Sequence, residues 1–303
     1  MHVFVRNAAR ITCAALAAQL LWPTPPAAAH VRRKVPCRAS ALIEAIAAVN
    51  AVKRGVLILS PFCDYVLTKA ASTGTHGANG LPIVDADLTI HGRGARVTRA
   101  AGSPAFRVME IAEGRTVKLI SLTVKGGDPG AHPGGGILVR GMLTMRTAAV
   151  QGNTAQQGGG IANDDGRVVL VDSAVEGNEA RDGGGGLVND GELDTMRTRI
   201  AFNRARTGGG VLNELRGVAT LRNTTVNGNT ARTRGGGLHN APGGISRLFS
   251  TVVERNSAHD AGGGIFNDFF TGAVRLSGST VTANTAGSAA NCAPVYSVAG
   301  CVN

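Results

Sequence analysis

Apolar positions recur along this chain on two scales. Over a few residues they alternate with polar ones, as in Leu143-Thr144-Met145 and Val274-Arg275-Leu276, the period of a strand with one buried face. Over longer distances an aliphatic residue closes each of six glycine runs: Ile137, Ile161, Leu187, Val211, Leu238 and Ile265, spaced by 24, 26, 24, 27 and 27 residues. A second aliphatic series (Val150, Val175, Ile200, Val226, Val253, Val281) stands three residues before an asparagine series at Asn153, Asn178, Asn203, Asn229, Asn256 and Asn284. Another asparagine series follows the glycine runs, at Asn163, Asn189, Asn213, Asn240 and Asn267. Self-similarity at this period marks a solenoid. No window of the repeat region holds a helical period, and the dense leucine framework of a leucine-rich repeat is absent. Each unit therefore reads as three short strands joined by turns. The expected fold is all-β, a single-stranded right-handed parallel β-helix forming one domain.

In such a coil, equivalent residues of successive turns lie about 4.8 Å apart, so a repeated position becomes a ladder. The aliphatics that follow the glycine runs are expected to stack inside. Asparagines at corners tolerate positive φ and can hydrogen-bond the next asparagine along. The glycine runs are expected at corners with no room for Cβ. A phosphate-cradling role for them would require a helix start or a Lys-Ser/Thr pair after the glycines, and neither is present.

Both ends of a β-helix need covers. Ser40 ahead of the apolar-rich stretch 41–49 reads as an N-capped amphipathic helix lying over the first coil. The expected organisation is a leader over 1–29, a cap with its helix over 30–82, the β-helix over 83–285 (regular from about 134), and a terminal cap over 286–303.

The first residues point to export. Arg6 and Arg10 precede an apolar stretch from Ile11 to Trp22, prolines break it, and Ala27-Ala28-Ala29 offers a small-residue cleavage site, the layout of a signal peptide cut after Ala29. The stretch is too short to span a bilayer, and no second one follows, so no membrane span is expected in the mature chain. Cysteines in an exported chain read as disulfides. Four remain after cleavage and permit three connectivities. Pairing neighbours, Cys37 with Cys63 and Cys292 with Cys301, is the simplest, because it ties the two ends; no Cys-x-x-Cys spacing favours zinc. The net charge is +11, of which the leader arginines carry two, leaving +9. Only five of the 31 basic residues are lysine, and aromatics for base stacking are few, so nucleic acid is not favoured. An anionic polysaccharide or cell-envelope polymer fits a basic exported surface better.

Glycine run plus aliphatic, preceded by Val-x-x-Asn, resembles the paired GGA(I/L/V) and FxxN motifs of chlamydial polymorphic outer membrane protein repeats, with Gly in place of Ala and Val or Ile in place of Phe. Cys37-Arg38-Ala39-Ser40-Ala41-Leu42-Ile43-Glu44-Ala45-Ile46 is similar to the CSLREAI segment that begins many bacterial secreted β-helix proteins. The resemblance covers roughly residues 37 to 303. It implies a pectin-lyase-like β-helix and a role in adhesion. The translocator barrel that ends those outer membrane proteins has no room here.

Polysaccharide lyases and hydrolases also use this fold, yet their motifs are missing. Asn163-Asp164-Asp165 is present, but no Gly-His-Gly or Arg-x-Lys follows it, and no motif supports a nucleophilic triad. The repeat itself offers two charged stripes. Three residues after the first asparagine series stand Gln156, Arg181, Arg206, Arg232 and His259. One residue after the second stand Asp164, Asp190, Glu214, Ala241 and Asp268. The stripes are expected roughly 15–20 Å apart at opposite edges of one sheet. The basic stripe is suited to carboxylates, sulfates or phosphates of a linear polymer. The acidic one suits Ca²⁺, or less readily a carboxylate pair for glycoside hydrolysis. No other cofactor is expected. Phe269-Phe270 either form a sugar platform or fold back on their own turn. The functional expectation is a monomeric adhesin or polysaccharide-binding protein; the alternative is a lyase or hydrolase acting on acidic polysaccharide.

Overall fold

Alternation at period two folds as strands too short to stand alone, and stacking supplies their hydrogen bonds. The computed structural model describes residues 30–268, 273–294 and 297–302. The expected leader and Phe269-Phe270 lie outside the described residues. The chain winds as a parallel β-solenoid of about ten turns. Its walls are an 18-stranded, an eight-stranded and a five-stranded sheet, joined by one two-stranded antiparallel hairpin, Ser72–Gly74 with Gly77–Asn79.

One regular coil shows the plan. Leu187–Asn189 runs in the eight-stranded sheet, Glu192–Met196 and then Arg199–Ala201 in the widest sheet, and Arg204–Ala205 in the five-stranded sheet. The following coil repeats it in register, with Leu187 opposite Val211, Glu192 opposite Val218, Arg199 opposite Thr225 and Arg204 opposite Thr230. Three sheets thus correspond to the three expected strands, except that a corner divides each coil's path through the widest sheet. The corner residue is left-handed in successive coils: Thr147, Asp172, Arg197, Asn223 and Ser250 have φ of 47–50°.

The aliphatic series fill the interior. Ile137, Ile161, Leu187, Val211, Leu238 and Ile265 are buried, as are Val150, Val175, Ile200, Val226 and Val253. Each such side chain contributes about 1.5–3 kcal/mol on burial. Both asparagine series are buried ladders. Asn178 Nδ2 donates to Asn203 Oδ1 at 3.0 Å, Asn203 to Asn229 at 3.0 Å and Asn229 to Asn256 at 2.9 Å. In the second series Asn163 donates to Asn189 at 2.7 Å and Asn189 to Asn213 at 2.8 Å. The strained backbone sits elsewhere than expected. Positive φ falls on the residue before the first-series asparagine, as at Gly152, Gly177, Phe202 and Gly228, which frees each asparagine to point inward.

The glycine runs separate two demands. Of the three glycines that precede each aliphatic, the first has positive φ, as Gly208 does at 59°. The second is pinched between coils: a Cβ on Gly209 would lie 2.5 Å from the Thr230 carbonyl oxygen and 2.6 Å from that of Gly236.

At the N-terminal end, α1 (Ala39–Val52) covers the first coil with Leu42, Ala45, Ile46 and Val49. Its cap position is Arg38, which makes no side-chain capping bond, so the expected Ser40 cap is replaced by the turn at the Cys37–Cys63 disulfide. The widest sheet already includes Arg54–Leu59, paired in parallel with the strand Asp87–Arg99, so coiling starts within the segment expected as cap. At the other end Cys292 extends the eight-stranded sheet opposite Ile265 and is bonded to Cys301. No helix among the described residues is long and apolar enough to cross a membrane.

Candidate functional site

The five-stranded sheet presents its outer face through alternate residues, and repetition decides what stands there. Ala155, Ala180, Ala205, Ala231 and Ala258 point inward in register. The residues after them, Gln156, Arg181, Arg206, Arg232 and His259, therefore point outward as one column, the basic stripe. Arg204 joins it from two residues upstream, opposite Glu179 and Thr230. Arg181, Arg204, Arg206 and Arg232 are all exposed.

Stacked like charges repel, and the surface answers with interleaved carboxylates. A register shift after Ala155 accommodates Asp182, whose oxygens lie 2.5 Å from Gln156 Nε2 and 3.6 Å from Arg206 Nε. Glu179 lies 3.6 Å from Arg232, and Asp260 is 2.7 Å from His259 Nδ1. Arg181 and Arg204 make no ion pair among the described residues. The pairs at 3.6 Å are loose and exposed, so they hold the arginines weakly and leave their donors available to an arriving anion.

The acidic stripe is equally regular and is more tightly engaged. Asp164, Asp190, Glu214, Ala241 and Asp268 each donate a backbone N–H one coil back, four of them to the carbonyl of a ladder asparagine and Asp164 to that of Val139. Arg216 reaches Asp190 at 3.1 Å and Asp165 at 3.2 Å. Asp268 bonds His239 Nε2 at 2.9 Å, which holds its carboxyl below the usual range. Burial, followed by the charges of Asp190 and Asp164, pushes Glu214 up. No group of three acidic, histidine or cysteine side chains among the described residues is placed to share a metal ion.

Between the stripes runs the outer face of the eight-stranded sheet. Its central residues Leu138, Ala162, Val188 and Leu212 form a second buried apolar strip outside the main core. That strip continues into His239 and Phe266, whose rings meet edge to face at 5.1 Å. Arg234 lies over Phe266 at 4.9 Å. At the other end the same register position is Glu110, opposite Leu138. Glu110 is fully buried and accepts from Asn79 at 2.9 Å, Arg140 at 2.9 Å and Arg107 at 3.3 Å. Arg107 also donates to the His76 carbonyl, pinning the hairpin to the coil. Burial pulls Arg107 down to about 10, against the opposing pull of Glu110.

Reading the repeat by its asparagines and glycines missed this strip, since its residues vary from coil to coil. The signal available was position: each stands one residue after the buried aliphatic and, from Ala162 onward, one before the buried asparagine. The Arg107–Glu110 strut left a fainter mark, a lone glutamate inside the apolar run Val108-Met109-Glu110-Ile111. Comparison of the chain with protein-family models, curated proteins and solved structures finds no match.

Proposed function

We propose that this chain is an exported, pectin-lyase-like β-helix that binds an anionic polysaccharide or cell-envelope polymer without cleaving it, acting as an adhesin at the cell surface. The carrying observation is the row of exposed arginines on successive coils at the five-stranded sheet, Arg181, Arg206 and Arg232, each following an inward-facing alanine, with Arg204 two residues upstream of Arg206. A polymer lying along the solenoid axis meets a guanidinium about every 4.8 Å, the spacing of coils. Each contact replaces a weak exposed pair or none, so recognition is a sum of charge-assisted bonds and not one deep pocket. The leader-like first residues and the two disulfides, Cys37–Cys63 and Cys292–Cys301, support an oxidising compartment.

The test is calorimetric titration of polygalacturonate and of a sulfated glycan into the purified chain and into its Arg181→Ala/Arg206→Ala/Arg232→Ala variant. The reading requires at least about a tenfold loss of affinity in the variant, equivalent to about 1.4 kcal/mol. Unchanged binding removes it. Appearance of unsaturated uronate absorbance during the titration would identify a lyase instead.

A further inference from the structure

The corner that divides the widest sheet makes an elongated trough of about 900 Å³. It lies on a different sheet from the arginine column. One wall is the left-handed corner column, including Phe62, Ser121, Thr147, Asp172, Arg197 and Asn223. The facing wall is the column two residues further on: Thr123, Ala149, Ala174, Arg199 and Thr225. Between them Ala148, Ser173 and Thr198 are buried. Ser173 and Thr198 spend their hydroxyls on backbone carbonyls of Val171 and Leu170, so the floor is narrow and short of large side chains. From Phe62 to Asn223 the trough crosses six coil steps, about 29 Å at the strand spacing.

Its chemistry differs from that of the arginine face. Each wall carries a closed ion pair. Asp172 takes two bonds from Arg197, at 2.6 and 2.9 Å, and Glu176 takes one from Arg199 at 2.7 Å. The Arg197 guanidinium holds Asp172 below the usual carboxylate range, so that pair stays charged and mutually neutralised. Apart from Arg93 near the Phe62 end, which has no ion-pair partner among the described residues, what remains is a set of fixed donors and acceptors with little net charge: spare guanidinium N–H groups, carboxylate lone pairs, threonine hydroxyls and the Asn223 amide. Vicinal hydroxyls match such a set, donating to a carboxylate and accepting from a guanidinium. A polyanion would face Asp172 and Glu176. At one end Phe62 is 82% exposed, an open aromatic face on which an apolar sugar face can lie.

We propose that this trough is a second binding site, for an uncharged linear polysaccharide that lies along the solenoid axis with its hydroxyls against the two ion-paired walls. It is independent of the arginine face, and the two sites take chemically different polymers.

The experiment uses the purified chain on an array of neutral hexose oligosaccharides, from disaccharide to octasaccharide, followed by calorimetry on the retained series. Affinity rises with chain length and then levels off as the trough fills. Ala174→Trp, which occupies the trough from an outward-facing position, lowers affinity at least about tenfold, as does Arg197→Ala/Arg199→Ala. The triple variant on the arginine face leaves neutral-glycan affinity unchanged. Should Ala174→Trp fail to fold, Phe62→Ala at the exposed end gives the same reading through loss of the stacking face. Retention of no neutral oligosaccharide overturns the proposal. So does retention that survives the trough variants, or retention that disappears with the arginine-face variant.

Discussion

The buried asparagine ladders and the exposed charged columns are products of one operation, the repetition of a polar residue at coil spacing, and they end in opposite states. An amide stacked on an amide is self-complementary: Asn203 accepts from Asn178 and donates to Asn229, so every member of the run is satisfied by its neighbours. A guanidinium stacked on a guanidinium, or a carboxylate on a carboxylate, has no such option. Those columns stay at the surface and borrow counter-ions from the side, as Arg206 does from Asp182 and Asp190 from Arg216. Repetition therefore stabilises the molecule where the group is both donor and acceptor. Where the group has one sign, repetition leaves unspent interaction energy facing outward.

The sharpest way to break this contrast is to put one sign of charge into the ladder. In Asn203→Asp the second carboxylate oxygen faces the Asn229 Oδ1 and Val175 carbonyl acceptors that Nδ2 now serves at 3.0 and 2.9 Å. The expected loss of folding stability at neutral pH is about 4 kcal/mol, read from urea denaturation. Burial raises the folded-state pKa of this carboxyl above its unfolded value. The penalty is therefore full above the folded pKa and diminishes as pH falls towards the unfolded value. Asn203→Ala is the milder companion. It leaves the Asn178 N–H and Nδ2 groups without the acceptor they use at 2.9 and 3.0 Å, an expected cost of about 2–3 kcal/mol that does not vary with pH. Equal losses in the two variants at every pH would mean that charge is not what excludes these columns from the interior.

The same distinction explains what could be read from the sequence. The asparagines and the aliphatics that follow the glycine runs are bound to a single register by their ladders, so they recur and announce the fold. Residues such as Glu110, Leu138, Val188 and His239 share one register position and are all buried, but the contacts they make with the neighbouring coils are not a repeated hydrogen bond that demands one residue type. Each is fitted to a local surrounding and leaves no periodic mark. The trough was hidden for another reason. Its walls are set by left-handed corner residues as dissimilar as Thr147, Asp172 and Arg197, and the strain of the backbone there is shared by residues that normally avoid it. The charged stripes were visible as columns, whereas their neutralisation by Glu179, Asp182 and Arg216 depends on side-chain reach between coils.

In the charged columns, half-buried Glu214 tests whether stacked like charges cost anything at all. Its carboxyl is raised by burial first and by Asp190 and Asp164 second. Because the folded pKa lies above the unfolded one, the native state binds the proton more tightly, and stability falls as pH rises from the unfolded value through the folded one. Glu214→Gln removes that dependence. The expected result is a gain of a few tenths of a kcal/mol at neutral pH, about the scale of partly exposed charge interactions, and no gain at a pH well below the ordinary glutamate range, where both forms are neutral. A melting-temperature series across pH checks the sign.

The smallest expected change in stability belongs to the residues on which the proposed function rests. Arg181→Ala/Arg206→Ala/Arg232→Ala removes two exposed pairs, both at 3.6 Å, and relieves repulsion within the column. Exposed pairs contribute about 0–1 kcal/mol each, and the relief opposes even that, so the melting temperature should stay within a degree or two of the parent. Polyanion binding should nonetheless weaken by the tenfold or more argued above, and its dependence on salt should flatten, since screening acts on contacts that no longer exist. A large stability loss would show that the arginines hold the coils together, making the column a structural counterpart of the asparagine ladder. Retained stability with lost binding would place the column's unspent charge at the service of a ligand, which is the outcome the contrast between the two kinds of ladder demands.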